Sequence, residues 1–282
     1  MLAQWSSCAE LLRRSQLFVP GNEERKIRKS TTLDADSIIL DLEDAVPENG
    51  KTGAREALRV WLKDLDWDPR KELCVRINKT SNGSYSQADL DAVKGMEKVS
   101  TIVLPKIEGR ASKIHEYTGK NLLGLVETAK GLMNIREIAE SRGAVAMSFG
   151  PQDYANSVRG NVVEYTSNRG ILAAMVAAAR ANDLDPLDGV YFELNNLEGF
   201  RQVAQVAKDL GCSGKQVVHP SQIAIANEVF SPNPEEIAEA TRIIELYEKA
   251  GERNTGALRV DDRLIDAVHY RRAKDLLSRI QT

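Results

Sequence analysis

The chain has 282 residues, enough for one large α/β barrel with a small appendage or for two ordinary domains. Its net charge is −3, charges of both signs are interspersed, and only 5% of the residues are aromatic, which argues against a nucleic-acid-binding protein. No apolar stretch approaches the length of a membrane span. The three cysteines (Cys8, Cys74 and Cys212) form no CxxC pair, which predicts free thiols in a reducing compartment such as the cytoplasm.

The N-terminal segment MLAQWSSCAELLRRSQ contains serines, Arg13 and Arg14 and faintly resembles a transit peptide. It is short and lacks repeated basic amphipathic turns, however. We therefore predict an additional helix or a loose arm before the first strand.

Apolar, β-branched runs alternate with helical patterns along most of the chain. The candidate strands are QLFVP (16–20), SIILDL (37–42), LCVRI (73–77), TIVLP (101–105), LLGLVE (122–127), VAMSFG (145–150), GVYFEL (189–194) and QVVHP (216–220). Most of these runs are continuously hydrophobic, as expected for strands that lie between helices and a packed interior. The clearest helices are predicted at 167–181 and at 197–210, the latter closed by Gly211.

Eight strands with helical crossovers predict an α/β fold, specifically a (β/α)₈ TIM barrel. A doubly wound open sheet is the alternative. That fold favours a glycine-rich turn after the first strand, and the sequence there, VPGNEERK, is not GxGxxG.

About sixty residues follow the eighth predicted strand and form a C-terminal helical extension. Asn233 as N-cap, Pro234 at the first helical position and Glu236 predict a helix that ends at Gly251. A linker, ERNTGALRVDDR, and a last helix over about 266–280 complete the pattern. Because such a tail buries little by itself, we predict a barrel domain over 1–230, with a short N-terminal arm, and a helical lid or oligomerisation segment over 231–282.

Three charged side chains follow neighbouring strands at their carboxyl ends. Glu127 and Asp153 each end a short apolar run, and Arg76 ends a third. Side chains at these positions converge in a barrel. Two carboxylates that leave other coordination positions open are typical of a Mg²⁺ site. Each acid alone could instead cap the next helix, but three charged residues on one face favour a functional site.

The segment DLEDAVPENGK brings further carboxylates to the carboxyl ends of the strands, the mouth of the predicted barrel. They are Asp41, Glu43 and Asp44. They could form an ion-paired turn with a helix cap. The functional alternative is that Glu43 or Asp44 holds a water molecule on the metal while Asp41 orients Arg76. The planar guanidinium of Arg76 could then bind a carboxylate or a developing enolate oxygen.

Two other segments end at the predicted mouth. Lys106 could be a Schiff-base lysine, but acidic neighbours would raise its pKa and favour a structural or electrostatic role. In SFGPQD, Phe149, Gly150 and Pro151 are predicted to contact the substrate, with backbone N–H groups beside Asp153 receiving a carboxylate. The alternative for this segment is an ordinary tight turn.

A lone histidine, His219, ends the eighth predicted strand and is expected to be a packing residue rather than a base. The three histidines show no spacing typical of a zinc site. No GxSxG, P-loop or catalytic-triad signature is present.

Seven segments together resemble, in order, the citrate lyase β-subunit/malyl-CoA lyase family. They are RSQLFVPGNEERKIRK, DADSIILDLEDAVPENGKTGAR, CVRINKTSNGSYSQADL, IVLPKIEG, GLVETAKGLMNIREIA, AMSFGPQDYA and VVHPSQIAIANEVFSP. The resemblance runs from about residue 14 to the C-terminus. It implies a (β/α)₈ barrel with Mg²⁺ bound by Glu127 and Asp153, and Arg76 as the clamp for substrate and enolate.

The resemblance extends to the tail, where RVDDRLID (259–266) resembles the family's C-terminal signature. The family usually has Gly-Lys where this chain has Asp262-Arg263. The resemblance implies that Asp266 reaches the active site of a neighbouring subunit in a homotrimer or hexamer. The alternative is that Asp266 caps the last helix.

The family's activity is the reversible cleavage of 3-hydroxyacyl thioesters. The resemblance therefore implies a Mg²⁺-dependent lyase that converts citramalyl-CoA or malyl-CoA to acetyl-CoA and a small 2-oxo acid, pyruvate or glyoxylate. Arg76, Asp266, Glu43 and Asp44 are the candidate catalytic residues. Pro20, Arg25 and Lys29 are candidates for contact with CoA, although the two cations could simply form a solvated helix face.

Three alternatives remain open at this point. The chain could be a citrate lyase β subunit that acts on an acyl-carrier-protein thioester. It could be a malyl-CoA thioesterase or a malate synthase-like enzyme, in which water attacks the thioester. It could also be a non-catalytic assembly subunit.

Overall fold

The computed structural model describes residues 11–166, 168–251, 257–260 and 263–278. One compact unit spans Leu11–Phe230, and the described residues from Ser231 onward belong to a second unit. The predicted N-terminal arm, including Cys8, lies outside the described residues.

The first unit is a closed barrel of eight parallel strands in sequential order, which confirms the predicted (β/α)₈ fold. The strands are β1 (Ser15–Pro20), β2 (Ser37–Asp41), β3 (Glu72–Arg76), β4 (Thr101–Leu104), β5 (Asn121–Val126), β6 (Ala144–Phe149), β7 (Asp185–Asp188) and β8 (Gly214–Val217). The barrel closes between β8 and β1, where Gln16 is in register with Gln216.

Helices follow the strands and cover the barrel. In this unit they are α1 (Glu24–Ser30), α2 (Lys51–Trp61), α3 (Gln87–Lys94), α4 (Ser112–Thr118), α5 (Ala129–Met133), α6 (Ile135–Ala139), α7 (Pro151–Val158), α8 (Val162–Tyr165), α9 (Arg169–Arg180), α10 (Leu197–Leu210) and α11 (Ile223–Phe230). Short 3₁₀ turns lie at Glu48–Gly50 and Pro220–Gln222. Helix α10 ends as predicted, because Gly211 has a φ of 104° and provides a left-handed C-cap.

The seventh strand differs from the prediction. The run 189–194 is not a strand; β7 lies earlier, at Asp185–Asp188, in a segment whose composition is polar. Asp188 is nevertheless buried, because the ammonium of Lys215 on β8 forms an ion pair with it. The residues after β7 leave the sheet, and Phe192 is exposed.

The barrel interior changes from polar to apolar along the strands. At the amino-terminal end, Arg13 donates two hydrogen bonds of 2.8 Å to Glu72 and another of 2.8 Å to Asp185. The middle layer is apolar and consists of Ile39, Cys74, Val103, Leu123, Leu125, Ala146 and Leu187. The buried Cys74 confirms the prediction that this residue lies in the core of its strand.

The second unit contains α12 (Pro234–Gly251), β9 (Ala257–Val260), β10 (Arg263–Asp266) and α13 (Ala267–Ser278). The capping box predicted for α12 is present: Asn233 Oδ1 accepts from Glu236 N–H, and Glu236 Oε2 accepts from Asn233 N–H, both at 2.8 Å. The predicted linker is wrong in part, because β9 and β10 pair as an antiparallel hairpin. None of the helices among the described residues has the length and apolar character that a membrane span requires.

Candidate active site

A cavity of about 390 Å³ opens at the carboxyl ends of the barrel strands. The predicted site residues that line it are Pro20, Asp44, Arg76, Glu127, Gly150, Pro151 and Asp153. The fold therefore brings both predicted metal ligands and the predicted clamp to one pocket, in the place where parallel barrels carry their active sites.

Glu127 follows β5 and is buried, with 4% of its surface exposed. The backbone N–H of Lys106 donates a 2.7 Å hydrogen bond to Oε1. Within the described part of the chain no hydrogen bond reaches Oε2, and a Cβ at Gly150 would collide with that oxygen. Burial, reinforced by the charges of Asp153 and Glu43, raises the pKa of Glu127 to about 8 although Lys106 lowers it.

Asp153 lies in the first turn of α7, and its side chain is 33% exposed at the cavity. Its Oδ2 is 3.4 Å from the ammonium of Lys106. Neither acid caps a helix: α7 has Gly150 at its N-cap, and the hydroxyl of Thr128 caps α5 by accepting from Gly131 N–H. The capping interpretation is therefore wrong for both acids.

Arg76 is held in one orientation by Asp41, as predicted. Its Nε and Nη2 each donate a 2.7 Å hydrogen bond to one carboxylate oxygen of Asp41. Its Nη1 lies 3.0 Å from Glu43 Oε2, and the guanidinium lies over the ring of Phe18 at 4.9 Å from the centroid. Burial lowers the pKa of Arg76, but Asp41 and the neighbouring acids outweigh this and raise it, so the group stays charged.

Glu43 connects Arg76 to Lys106. Its Oε1 accepts a 2.8 Å hydrogen bond from Lys106 Nζ, whereas its buried Oε2 accepts none among the described residues, because the approach of Arg76 Nη1 has poor hydrogen-bond geometry. Burial raises the pKa of Glu43 despite the opposing charge of Arg76. Asp44 is 65% exposed, with Oδ2 3.5 Å from Arg76 Nη2.

Lys106 has the electrostatic setting that the sequence predicts. Burial lowers the pKa of its ammonium, but the hydrogen bond to Glu43 and the charges of Glu43, Glu127 and Asp153 raise it above its ordinary value. A Schiff-base lysine needs the opposite shift. The structure thus favours a charged lysine here.

Only part of the segment SFGPQD has backbone N–H groups that are available to a ligand. Gly150 N–H already donates to Val126 O at 3.1 Å, and Pro151 has no N–H. The N–H groups of Gln152 and Asp153, in the first turn of α7, have no partner among the described residues. These two groups are the ones that could receive an anionic oxygen at the cavity.

Several predicted residues do not line the cavity. Phe149 is buried in the core, with its ring 5.2 Å from that of Tyr154. Arg25 and Lys29 lie on the exposed surface of α1. His219 is exposed, and its Nδ1 accepts from Ser221 N–H at 3.2 Å, so the predicted packing role is wrong.

Asp266 belongs to the second unit and does cap α13. Its Oδ1 accepts from Val268 N–H at 2.9 Å and from His269 N–H at 3.3 Å. The same oxygen lies 2.7 Å from His269 Nδ1, a contact that lowers the pKa of Asp266. The capping contacts are local, and an additional role in catalysis remains a prediction.

The cavity also has apolar lining residues that the sequence did not identify as part of a site: Phe18, Leu125, Val190, Phe192 and Val218. The sequence predicts Phe192 within the seventh strand, whereas in the structure it follows β7 and lies at the mouth. For Phe18 an available signal was the alternation along β1, because Gln16, Phe18 and Pro20 share one face of the strand.

The donor set at the mouth suits a hard divalent cation. Glu127 and Asp153 line one cavity, and Glu43 Oε2 is buried without a hydrogen bond among the described residues. Among the residues described, no group of three or more His, Cys, Asp or Glu side chains has the arrangement of a metal cage. Two carboxylates with open positions are the arrangement that Mg²⁺ uses when it also binds water and substrate oxygens.

Known proteins resemble the chain over most of its length. Residues 14–220 match the family model described as HpcH/HpaI aldolase/citrate lyase. A (3S)-malyl-CoA thioesterase of Cereibacter sphaeroides is 34% identical over 95% of this chain and 94% of its own. The mitochondrial citramalyl-CoA lyase of Rattus norvegicus is 33% identical over 94% of this chain and 85% of its own.

A solved structure is also similar to most of the chain. The CitE protein of Mycobacterium tuberculosis, crystallised with magnesium, acetoacetate and coenzyme A, superposes with a TM-score of 0.78. It is 29% identical in sequence, and the match covers 95% of this chain and 98% of the CitE chain.

Proposed function

Because the chain belongs to the HpcH/HpaI aldolase/citrate lyase family, we propose that it is a Mg²⁺-dependent carbon–carbon lyase acting on a 3-hydroxyacyl-CoA. Citramalyl-CoA and malyl-CoA are the proposed substrates, and acetyl-CoA with pyruvate or glyoxylate are the products. The observation that carries the proposal is the meeting of Glu127, Asp153 and the clamped Arg76 at one cavity. The names of the rat lyase and of the CitE complex support it.

Glu127 and Asp153 are the proposed ligands of the metal. Mg²⁺ held there would supply Lewis-acid polarisation of the oxygen that becomes the ketone of the 2-oxo acid. The free N–H groups of Gln152 and Asp153 would receive the carboxylate of that acid. The substrate is thereby oriented with its scissile bond toward Arg76.

The reaction in the cleavage direction needs two proton transfers. The 3-hydroxyl loses its proton to Asp44, which lines the cavity, or to a water molecule held by Glu43, as the carbon–carbon bond breaks, and the bonding electrons form a thioester enolate. Arg76, held by Asp41, offsets the negative charge that develops on the enolate oxygen. Asp266 of a neighbouring subunit then passes a proton taken up from solvent to the enolate carbon.

The role of Asp266 requires an oligomer, and we propose a homotrimer or hexamer with shared active sites. The acyl-CoA and the 2-oxo acid are the remaining partners. Arg25 and Lys29, exposed on the helix that follows Pro20, stay candidates for contact with the phosphates of CoA. We further propose a cytoplasmic location, where the free thiols found at the described cysteines would remain reduced.

A thioesterase is the second candidate function, favoured by the 34% identity to the (3S)-malyl-CoA thioesterase of C. sphaeroides. In that reaction water attacks the thioester carbonyl, and free CoA and malate are released. The same carboxylates would then serve hydrolysis rather than cleavage of a carbon–carbon bond. Product analysis separates the two activities.

The test is an assay of purified protein with malyl-CoA and both enantiomers of citramalyl-CoA, with Mg²⁺ or with EDTA. We expect acetyl-CoA and one 2-oxo acid to form in equal amounts, only with Mg²⁺. Glu127→Ala and Asp153→Ala should abolish this activity, whereas Glu137→Ala, on the exposed surface of α6, should retain it. Free CoA without a 2-oxo acid would support the thioesterase, and full activity of either site variant would refute the metal assignment.

A further inference from the structure

Lys106, two residues after β4, has a backbone conformation that is unusual for a residue with a side chain. Its φ is 49°, in the left-handed region that favours glycine. A residue other than glycine is held there only when its surroundings fix it, and such positions cluster at functional sites.

The backbone of Lys106 is fixed on both sides. Its N–H donates to Glu127 Oε1 at 2.7 Å, and its carbonyl oxygen accepts from Lys79 Nζ at 2.6 Å. The first contact holds the carboxylate of a proposed metal ligand in place. The second contact comes from a side chain that is itself held by Glu108, with its Nζ 3.1 Å from Glu108 Oε2.

The side chain of Lys106 lies among the acids of the mouth. Its ammonium is 2.8 Å from Glu43 Oε1 and 3.4 Å from Asp153 Oδ2, and the side chain is 30% exposed. One lysine thus contacts Glu127 through its backbone and Asp153 through its charge. A positive charge so close to a ligand oxygen opposes the approach of a second cation to that oxygen.

From this geometry we propose that Lys106 is a positioning residue whose ammonium competes with the divalent cation for Asp153 and so weakens cation binding. The inference rests on the proposed function, because it takes Glu127 and Asp153 as the ligands. The N–H of Lys106 keeps Glu127 in place whichever cation contacts Asp153. Loose binding of the cation alone would make its retention depend on the oxygens of the substrate.

The expected change in cation affinity on removal of the Lys106 ammonium follows from Coulomb's law. A unit charge within about 5 Å of a divalent ion changes the binding constant of that ion by more than tenfold, even at the dielectric constant of water. Removal of the ammonium should therefore tighten binding of Mn²⁺ or Mg²⁺ at least tenfold. Replacement by arginine keeps the charge and should leave the affinity within about threefold of wild type.

The test measures cation binding to the full-length protein without substrate, by electron paramagnetic resonance of free Mn²⁺ and by calorimetry with Mg²⁺. Lys106→Met and Lys106→Gly both remove the ammonium, and the glycine variant also accepts the positive φ without strain. Lys106→Arg keeps the charge. Lys113→Met removes an exposed lysine of α4 as the matched control.

Tighter binding by at least tenfold in the methionine and glycine variants, with arginine and control variants near wild type, supports the inference. Equal or weaker binding in both variants overturns it. Loss of binding in Glu127→Ala and Asp153→Ala would then still uphold the metal ligands of the proposed function. A wild-type protein that binds neither ion overturns the proposed function and the inference together.

Discussion

The buried carboxyl of Glu127 should make the stability of the metal-free protein depend on pH. Burial raises its pKa to about 8, against an ordinary value of 4.5. Between these values the folded state keeps a proton that the unfolded chain releases. Stability therefore falls as pH rises from about 4.5 to about 8 and changes no further through this group above that range.

The size of the effect follows from the same pKa. A pKa raised by about 3.5 corresponds to an upper limit of about 5 kcal/mol in the free energy of unfolding. Solvent that reaches the ionised carboxylate through the open cavity would reduce this limit. We expect a loss of about 2–4 kcal/mol between pH 5 and pH 8.5 from this residue.

The assay is urea unfolding followed by circular dichroism in EDTA at several pH values, on wild type and Glu127→Gln. The glutamine cannot ionise, so the difference in unfolding free energy between variant and wild type should change steadily in favour of the variant as pH rises. Saturating Mg²⁺ should reduce the decline in wild type, because a ligand cation stabilises the ionised carboxylate. Parallel pH profiles of the two proteins in EDTA would show that Glu127 is ionised at neutral pH and would refute the reasoning.

Three other predictions concern the same mouth. Gly150→Ala should weaken Mg²⁺ binding measured by calorimetry at least tenfold, because its Cβ would displace the carboxylate of Glu127; unchanged affinity would contradict this close approach. Arg76→Met should lower the unfolding free energy in urea by about 3–5 kcal/mol, because Asp41 loses its bidentate partner inside the protein; a loss below about 1 kcal/mol would show that water solvates Asp41. Inactive Asp266→Ala mixed with inactive Arg76→Met should regain lyase activity, and no regain after verified subunit exchange would argue against a shared site.

The order and number of the strands could be predicted because each strand carries a local hydrophobic signal. The seventh strand was the exception. This strand contains two aspartates and lacks a hydrophobic signal, but Asp185 pairs with Arg13 and Asp188 with Lys215. The Arg13 pair joins residues 172 positions apart, and no local pattern contains such a partner. The apolar run at 189–194 predicts a strand, whereas in the structure Val190 and Phe192 of this run line the cavity.

The acidic residues of the site could be predicted for a related reason. In a parallel barrel, the residues that directly follow the strands lie at the same end of the barrel. The position of Glu127 at a strand end was therefore sufficient to predict that it lies at the mouth. The positioning role proposed for Lys106 goes beyond the electrostatic role predicted from the sequence, since it depends on a positive φ and on contacts with four separate segments. In the C-terminal segment, the helix cap formed by Asp266 could be predicted because it is a local contact. A contact of Asp266 with another subunit leaves no local pattern in the sequence.

Buried acids are fully hydrogen-bonded at the amino-terminal end of the barrel and less completely at the mouth. At the amino-terminal end both oxygens of Glu72 accept hydrogen bonds from Arg13, and Thr101 and Ser37 add further donors. Burial raises the pKa of Glu72, but these partners outweigh it and lower the pKa, as in a satisfied structural ion pair. At the mouth, Glu43 Oε2 accepts no hydrogen bond among the described residues, and Glu127 keeps a raised pKa.

Unsatisfied buried carboxylate oxygens destabilise a fold by a few kcal/mol each unless a ligand completes them. The same barrel fully satisfies Glu72, so its interior can pair a buried acid when the acid serves stability alone. The contrast with Glu72 supports the proposal that the acids at the mouth are kept for an incoming ligand. Under that proposal, a cation bound there together with the oxygens of a 2-oxo acid would supply the missing partners, and binding of metal and substrate would stabilise this end of the barrel.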